Sequence, residues 1–225
     1  MSKPTAKPKT TKKTSVRATA PNNVDPSFPS EAPVDCQLCP RLVAFREESA
    51  NANPDWFNGA VPSFGADNAR LLIVGLAPGL QGANRTGRPF TGDYAGDLLY
   101  KTLSEFQFSQ GRYAKTMADG LQLKDCMITN AVRCVPPQNK PTPAEIKTCR
   151  GYFQARIAGL PKLKVLLALG RIAHDQTLAT FDLRKASYPF SHGAAHPLPN
   201  GLMLFDSFHC SRYNTNTGRL TEDMF

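Results

Sequence analysis

Four short apolar segments, separated by stretches with helical spacing, constrain the fold of this chain most strongly. They are RLLIV at 70–74, CMIT at 126–129, KVLLAL at 164–169 and LMLF at 202–205. They lack the polar alternation of a strand with one solvated face, so they predict strands that are buried on both faces. Apolar strands that alternate with helices are typical of a parallel sheet covered by helices on both sides.

Signals for helices lie between these strands. Thr142 is placed to cap a helix, with Pro143 in the first turn and Glu145 three residues after the cap. A helix is also predicted from about Tyr94 to Phe108, and another over RIAHDQTLATF, directly after the third strand. In such open sheets, ligands bind beyond the carboxyl ends of the strands.

Unusual residues follow every predicted strand. The first strand runs into GLAPGLQGANRTGRPFTGD at 75–93, the second into the stretch from Asn130 to Asn139, the third into Gly170, and the fourth into HCSRYNTNTGRLT. A glycine-rich loop allows backbone amides to approach a ligand closely. The sequence therefore predicts one binding site at this edge of the sheet, although such a loop alone is also typical of a flexible connector.

The charge of the chain is concentrated near its beginning. Of 225 residues, 41% are apolar, which suits one domain with a real core, and the net charge is +9. Removing the six basic residues of the first twenty leaves +3 for the remainder. Residues 1–33 are therefore predicted to be a disordered basic tail before a domain at 34–225, serving either as a solubilising appendage or as a nonspecific tether to DNA.

Four of the six cysteines have the spacing of metal ligands. Cys36 and Cys39 form a CxxC pair, and fourteen residues separate Cys134 from Cys149. Four thiolates suit either zinc or an iron–sulfur cluster, and spacing alone does not choose between them. Disulfides are disfavoured because no secretory signal or membrane-length apolar run is present, whereas free buried thiols remain an alternative. The cytoplasm, a reducing compartment, is therefore expected, in association with the nucleoid.

Several long motifs, in a fixed order, resemble the iron–sulfur branch of the uracil-DNA glycosylase superfamily known as type five. They are CQLCPRL, the glycine-rich loop, TNAVRCVPPQNKPTP, LALGRIA and HCSRYNTNTGRLT, and the match extends from Cys36 to Phe225. The type-four branch is similar, but it carries Glu where this chain has Leu76. The resemblance implies an α/β fold, a three-layer α/β/α arrangement with a central four-stranded parallel sheet. It also implies excision of uracil, and of other deaminated or damaged bases, from double-stranded DNA.

The same resemblance implies roles for particular residues. Asp93 would be the catalytic acid that stabilises positive charge on the sugar and orients water, and His209 would donate to a uracil carbonyl and stabilise the departing anion. Helix capping is the alternative role for Asp93. A 4Fe-4S cluster is favoured over zinc, with Cys36, Cys39, Cys134 and Cys149 as ligands. The substrate-binding set comprises Gly75, Ala77, Gly79, Phe90, Asn139 and Asn214, and the DNA-binding set comprises Arg85, Ser211, Arg212 and Arg219.

The sequence leaves alternative functions open and departs from the family pattern in two places. No lysine in these motifs suits Schiff-base chemistry, so a monofunctional, monomeric glycosylase that hydrolyses the base–sugar bond and starts base excision repair is predicted. The alternatives are a strict type-four activity, a catalytically silent protein that binds damaged DNA, and a zinc-stabilised nucleic-acid-binding module. Cys210 departs from the family pattern, and the end at Phe225 predicts a shortened C-terminal packing element. Asn130 is a weaker candidate, which either contacts the base or orients its loop.

Overall fold

The computed structural model describes residues 20–21 and 23–225. Most of the predicted basic tail lies outside the described residues. The helices are α1 (Pro40–Ala52), α2 (Ala83–Thr86), α3 (Tyr94–Glu105), α4 (Pro143–Ala158), α5 (Arg171–Thr180) and α6 (Arg212–Asn216). The strands are β1 (Phe64–Gly65), β2 (Leu71–Gly75), β3 (Ser109–Gln110), β4 (Gln122–Leu123), β5 (Cys126–Asn130), β6 (Val165–Leu169), β7 (Ala195–Pro197) and β8 (Met203–Ser207).

The main sheet has the order β1-β5-β2-β6-β8-β7. Its four central strands are parallel and coincide with the four predicted apolar segments, so the α/β class is confirmed. The count of four strands is only approximate, because β1 and β7 add antiparallel edges and make the sheet six-stranded. These edge strands have two and three residues, too few to show a periodic pattern.

Two apolar cores lie on the two faces of this sheet, as expected for strands that are buried on both faces. One core packs α4 and α5 residues such as Phe153 and Leu178 against Leu72 and Leu166. The other packs α3 and its neighbours against the opposite face, around Ile73. The sheet is thereby held rigidly at its centre, and its carboxyl edge remains available for loops.

Local signals set the helix starts more accurately than the helix ends. The predicted capping box at Thr142 is present, with the Thr142 hydroxyl accepting from the Glu145 amide at 3.3 Å and Glu145 Oε2 accepting from the Thr142 amide at 2.7 Å. Helix α3 ends at Glu105 rather than near residue 108. Gln107 there has a φ of 63°, which a continuing right-handed helix does not accommodate.

The chain before residue 33 already contacts the domain. The Phe28 ring lies edge-on to Tyr152 with centroids 4.9 Å apart, and Glu31 pairs with the buried Arg133 at 3.0 Å and with Arg156 at 2.8 Å. Packing therefore begins before the boundary that composition suggested. No helix in the described part of the chain is long and apolar enough to cross a membrane.

Candidate active site

A cavity of about 500 Å³ opens beyond the carboxyl ends of the central strands. This volume is typical of pockets for small ligands, which span about 300–1,000 Å³. The cavity brings together Asp93, His209, Phe90 and Asn139, which lie far apart in the sequence. Its other walls are Leu76, Ala77, Pro78, Gly79, Leu80, Gln81, Gly82, Ala83, Tyr94, Ala95, Asn130, Ser211 and Arg212.

Asp93 divides its two carboxylate oxygens between the fold and the cavity. It caps α3, and its Oδ1 accepts the Gly96 amide hydrogen at 3.0 Å. Its Oδ2 lies over the glycine-rich loop, where a Cβ on Gly82 would come within 2.5 Å of it. Burial raises the pKa of Asp93, and the Gly96 amide and nearby His209 partly counter this effect. Asp93 therefore caps α3 with one oxygen and still lines the cavity.

His209 and Phe90 form a second wall. Their rings are stacked with centroids 5.8 Å apart and an interplanar angle of 29°. Burial lowers the pKa of His209, which favours a neutral imidazole. No hydrogen bond from the described residues reaches either ring nitrogen, so His209 is free to contact a ligand. Its main chain is held by the Asn214 side chain, which donates to the His209 carbonyl at 2.8 Å.

Two predicted base-contacting residues lie behind the cavity wall rather than in it. Gly75 does not line the cavity. A Cβ there would come within 2.3 Å of Asn130 Oδ1 and 2.8 Å of the Phe90 ring, so this glycine makes room for both side chains. Asn214 likewise supports His209 from behind. Ala77 and Gly79, by contrast, lie on the wall as expected.

Asn130 has a more direct position than its sequence context indicated. It ends β5, is 3% exposed and lines the cavity. Its Oδ1 is buried and has no hydrogen-bond partner among the described residues. A buried polar atom without a partner carries a cost of about 1–3 kcal/mol, which a ligand donor would remove.

The four residues predicted to contact DNA surround the cavity unevenly. Ser211 and Arg212 line it, and the Arg212 guanidinium lies 5.2 Å from the centre of the Tyr94 ring. Arg219 is outside, over the Phe208 ring at 4.6 Å. Arg85 is also outside, and its Nη2 donates to the Gly92 carbonyl at 3.4 Å. Cys210, which departs from the family pattern, is fully buried, and its thiol donates to the Ala95 carbonyl at 3.4 Å, while the neighbouring His209 lines the cavity.

The four cysteines with ligand spacing surround a single second pocket. Cys36, Cys39, Cys134 and Cys149 line it together with the apolar side chains Leu38, Leu42 and Val132. Burial raises the pKa of Cys134 to about 12 and that of Cys149 to about 11, so both thiols resist ionisation unless a cation is close. The Arg133 amide points at the Cys149 sulfur at 3.3 Å. The remaining thiols, Cys126 and Cys210, are buried elsewhere.

One compact group of histidines and an aspartate also lies in the described part of the chain. His174 Nδ1 and His196 Nε2 contact the two oxygens of buried Asp206 at 2.7 and 3.2 Å. The other nitrogen of His174 faces the Tyr188 carbonyl at 2.9 Å. These ligand atoms all lie within 4.8 Å of one another. These contacts join α5 to β7 and β8.

The fold and cavity define an α/β protein with a site at the carboxyl edge of a parallel sheet. A family model described as the uracil DNA glycosylase superfamily matches residues 62–225. The chain belongs to this superfamily.

Within the superfamily, the similarity is to the type-five branch. The chain is 50% identical to the "Type-5 uracil-DNA glycosylase" of Thermus thermophilus over 196 residues, which cover 84% of this chain and 89% of the relative. It is 41% identical to the protein of the same name from Mycobacterium leprae over 197 residues, covering 84% and 86%. A "Type-4 uracil-DNA glycosylase" of Sulfurisphaera tokodaii matches at 27% identity, covering 87% and 79%. The type-five resemblance read from the motifs is confirmed.

Proposed function

We propose that this protein is a uracil-DNA glycosylase that hydrolyses the bond between uracil and deoxyribose in double-stranded DNA and leaves an abasic site. The observation that carries the proposal is the meeting of Asp93, Phe90 and His209 in one cavity at the carboxyl edge of the sheet. A base must leave the helical stack to enter such a cavity, at a cost of a few kcal/mol. Other deaminated or damaged bases are further candidate substrates.

Asp93 suits the chemistry at the sugar. Cleavage of the base–sugar bond builds positive charge on the sugar, which a carboxylate stabilises while orienting a water molecule. Because Oδ1 is fixed by the Gly96 amide, Oδ2 has a defined position over the glycine-rich loop. A preoriented charge of this kind needs no rearrangement during the reaction.

His209, Asn130 and Asn139 suit recognition and departure of the base. The neutral imidazole stacked against Phe90 offers a donor to the carbonyl oxygen on which negative charge develops. Amide side chains present a donor and an acceptor together, which matches the edge of uracil. Ser211 and Arg212, which line the cavity, suit contacts to DNA phosphates, as do Arg85 and Arg219 outside it.

A 4Fe-4S cluster held by Cys36, Cys39, Cys134 and Cys149 is part of the proposal. The four cysteines line one pocket, which suits a single group bound by four thiolates. The Arg133 amide directed at the Cys149 sulfur is a contact of the kind that tunes iron–sulfur clusters. Zinc bound by the same four thiolates is the alternative, and the similarity to the type-five branch favours the cluster. The cluster would join the chain around α1 to the segment after β5.

The experiment is excision from a labelled duplex that contains a single uracil, followed by alkaline cleavage of the abasic product. We expect strand scission with the wild-type protein and none after Asp93→Ala, while binding to the duplex persists. An inactive, cluster-loaded wild-type protein that still binds the duplex would instead support a silent damage-binding role. A duplex with hypoxanthine opposite thymine distinguishes a broad activity from a strict one.

Two further measurements test the expected monomer and the expected location. Light scattering in the presence and absence of DNA tests the monomer, and fractionation of cells tests the cytoplasmic, nucleoid-associated location.

A further inference from the structure

The backbone of Phe90 adopts a conformation that bulky residues rarely take. Its φ is 53°, in the left-handed region. A non-glycine residue held there costs on the order of 1–3 kcal/mol and persists only where surrounding contacts fix it. The ring nevertheless stacks on His209 inside the cavity. Some other part of the structure must therefore hold this loop in place.

Tyr113 contacts the main chain of the glycine-rich loop at Phe90 and Gly92. Its hydroxyl accepts the Gly92 amide hydrogen at 3.1 Å and donates to the Phe90 carbonyl at 3.4 Å. One side chain, from a segment outside the glycine-rich loop, thus bridges the residues on either side of Thr91. Burial raises the pKa of Tyr113 to about 12, so the hydroxyl keeps its proton at neutral pH.

A buried ion pair supports Tyr113. Arg88 is 2% exposed, and its guanidinium forms two parallel hydrogen bonds with Asp119, at 2.8 and 2.7 Å. The same guanidinium lies over the rings of Tyr113 and Tyr100 at 5.7 and 5.4 Å from their centroids. The Tyr100 hydroxyl donates to the Pro89 carbonyl at 2.7 Å. The ion pair therefore fixes both aromatic rings that hold the loop.

Helix α3 closes the loop from the remaining side. A Cβ on Gly96 would overlap the Phe90 carbonyl oxygen and come within 2.8 Å of the Tyr113 hydroxyl. The same Gly96 supplies the amide that fixes Asp93. The position of the Phe90 ring and the position of the Asp93 carboxylate are thus set by one contact region.

We propose that Tyr113, supported by the Arg88–Asp119 pair, is a positioning residue for base excision. It holds Phe90 in its left-handed conformation so that the ring stacks on the extruded base while Asp93 faces the sugar. This inference rests on the proposed function. Tyr113 touches no reacting atom in this role, because its hydroxyl is used by the Phe90 and Gly92 main chain.

The test compares Tyr113→Phe with Tyr188→Phe. The first variant removes only the hydroxyl and keeps the ring over Arg88, and the second removes the hydroxyl of a tyrosine that packs near His196, outside the cavity. We expect Tyr113→Phe to lower the single-turnover excision rate about tenfold with little change in Tm. Binding to a duplex with an abasic analogue should be unchanged, because that ligand offers no base to stack. Tyr188→Phe should keep the wild-type rate.

A double-mutant cycle separates positioning from general support. In a Phe90→Ala background the ring is absent, so Tyr113→Phe should cost less than it does in the wild-type protein. An equal loss in both backgrounds, or a wild-type rate for Tyr113→Phe, would overturn the proposal.

Crystal structures of the wild type and Tyr113→Phe give a readout that needs no activity. We expect the Phe90 ring to lose its single orientation in the variant. An unchanged loop would refute the positioning role even if excision were absent altogether, whereas an inactive wild-type protein with the expected loop change would refute only the proposed function.

Discussion

The candidate active-site cavity and the cysteine pocket differ in what holds them together. Around the cavity, the Arg88–Asp119 pair, Tyr113 and Gly96 hold the chain that carries Phe90 and Asp93. The Asp93 and His209 side chains line the cavity. Around the cysteine pocket, four thiols line one largely apolar space, and burial opposes the ionisation of Cys39, Cys134 and Cys149. Contacts between protein groups hold the first region, whereas the thiols of the second would ionise readily only beside a bound cation.

The largest effect should follow from breaking the ion pair that organises the cavity. Asp119→Ala leaves the buried Arg88 charge uncompensated, which typically costs about 3–5 kcal/mol of unfolding free energy. Urea unfolding measures this cost. The control is Asp175→Ala, whose partner Lys185 is exposed, and which should cost at most about 1 kcal/mol. A similar loss of unfolding free energy in both variants would show that the buried Arg88–Asp119 pair does not stabilise the loop.

The same pair predicts acid sensitivity. Arg88 holds the pKa of Asp119 well below its usual range. A carboxyl whose pKa is depressed in the folded state contributes stability above its unfolded pKa of about 3.9 and loses that contribution as the pH falls further. Urea unfolding at several pH values should show the wild type losing more stability than Asp119→Ala below about pH 4.

Removing the Asp93 charge, which the proposed function places against the sugar, should have the next largest effect. Asp93→Asn keeps a helix-capping oxygen but loses the carboxylate, so excision should slow by about 100- to 1,000-fold with Tm little changed. Single-turnover kinetics on the uracil duplex measure this loss. Asp97→Asn, on the same helix but paired with Lys115 outside the cavity, should remain close to the wild-type rate. A near-normal rate for Asp93→Asn would remove its assigned role.

Disrupting the cysteine pocket should act on stability and metal content. Cys134→Ser should lose its iron and about 1–3 kcal/mol of stability, the usual scale for a single substitution with a definite cause. Cys126→Ser, a buried thiol elsewhere in the core, should keep its iron. Iron analysis and visible absorption distinguish the two variants. A colourless wild-type protein with stoichiometric zinc would contradict the cluster.

The smallest effect concerns the pH dependence of excision. Burial raises the pKa of Asp93 above its ordinary value and lowers that of His209 below its ordinary value, so both shifts move the two titrations toward each other. The rate should fall as the pH drops between the ordinary values of about 6.5 for His and 3.9 for Asp. Single-turnover profiles should keep an acid limb in His209→Asn, from Asp93 alone. A flat profile in that variant would show that Asp93 does not govern the rate.

Sequence reasoning predicted the elements whose signals are local. The four buried strands, the Thr142 capping box and the start of α3 at Asp93 follow from runs of apolar residues and from cap chemistry within a few positions. The short edge strands β1 and β7 had no such signal, and neither did the contacts of Phe28 and Glu31 with the domain.

For the candidate site, the sequence alone determined which reactive and polar side chains are present and which strands they follow. The tertiary structure decided which of these groups share a cavity. It placed Asn130 on the wall, moved Gly75 and Asn214 behind it, and joined Arg88, Asp119 and Tyr113 into a support for Phe90. The reason is physical: an apolar period or a helix cap depends on neighbours along the chain, whereas a buried ion pair or an unpartnered amide depends on which segments pack together.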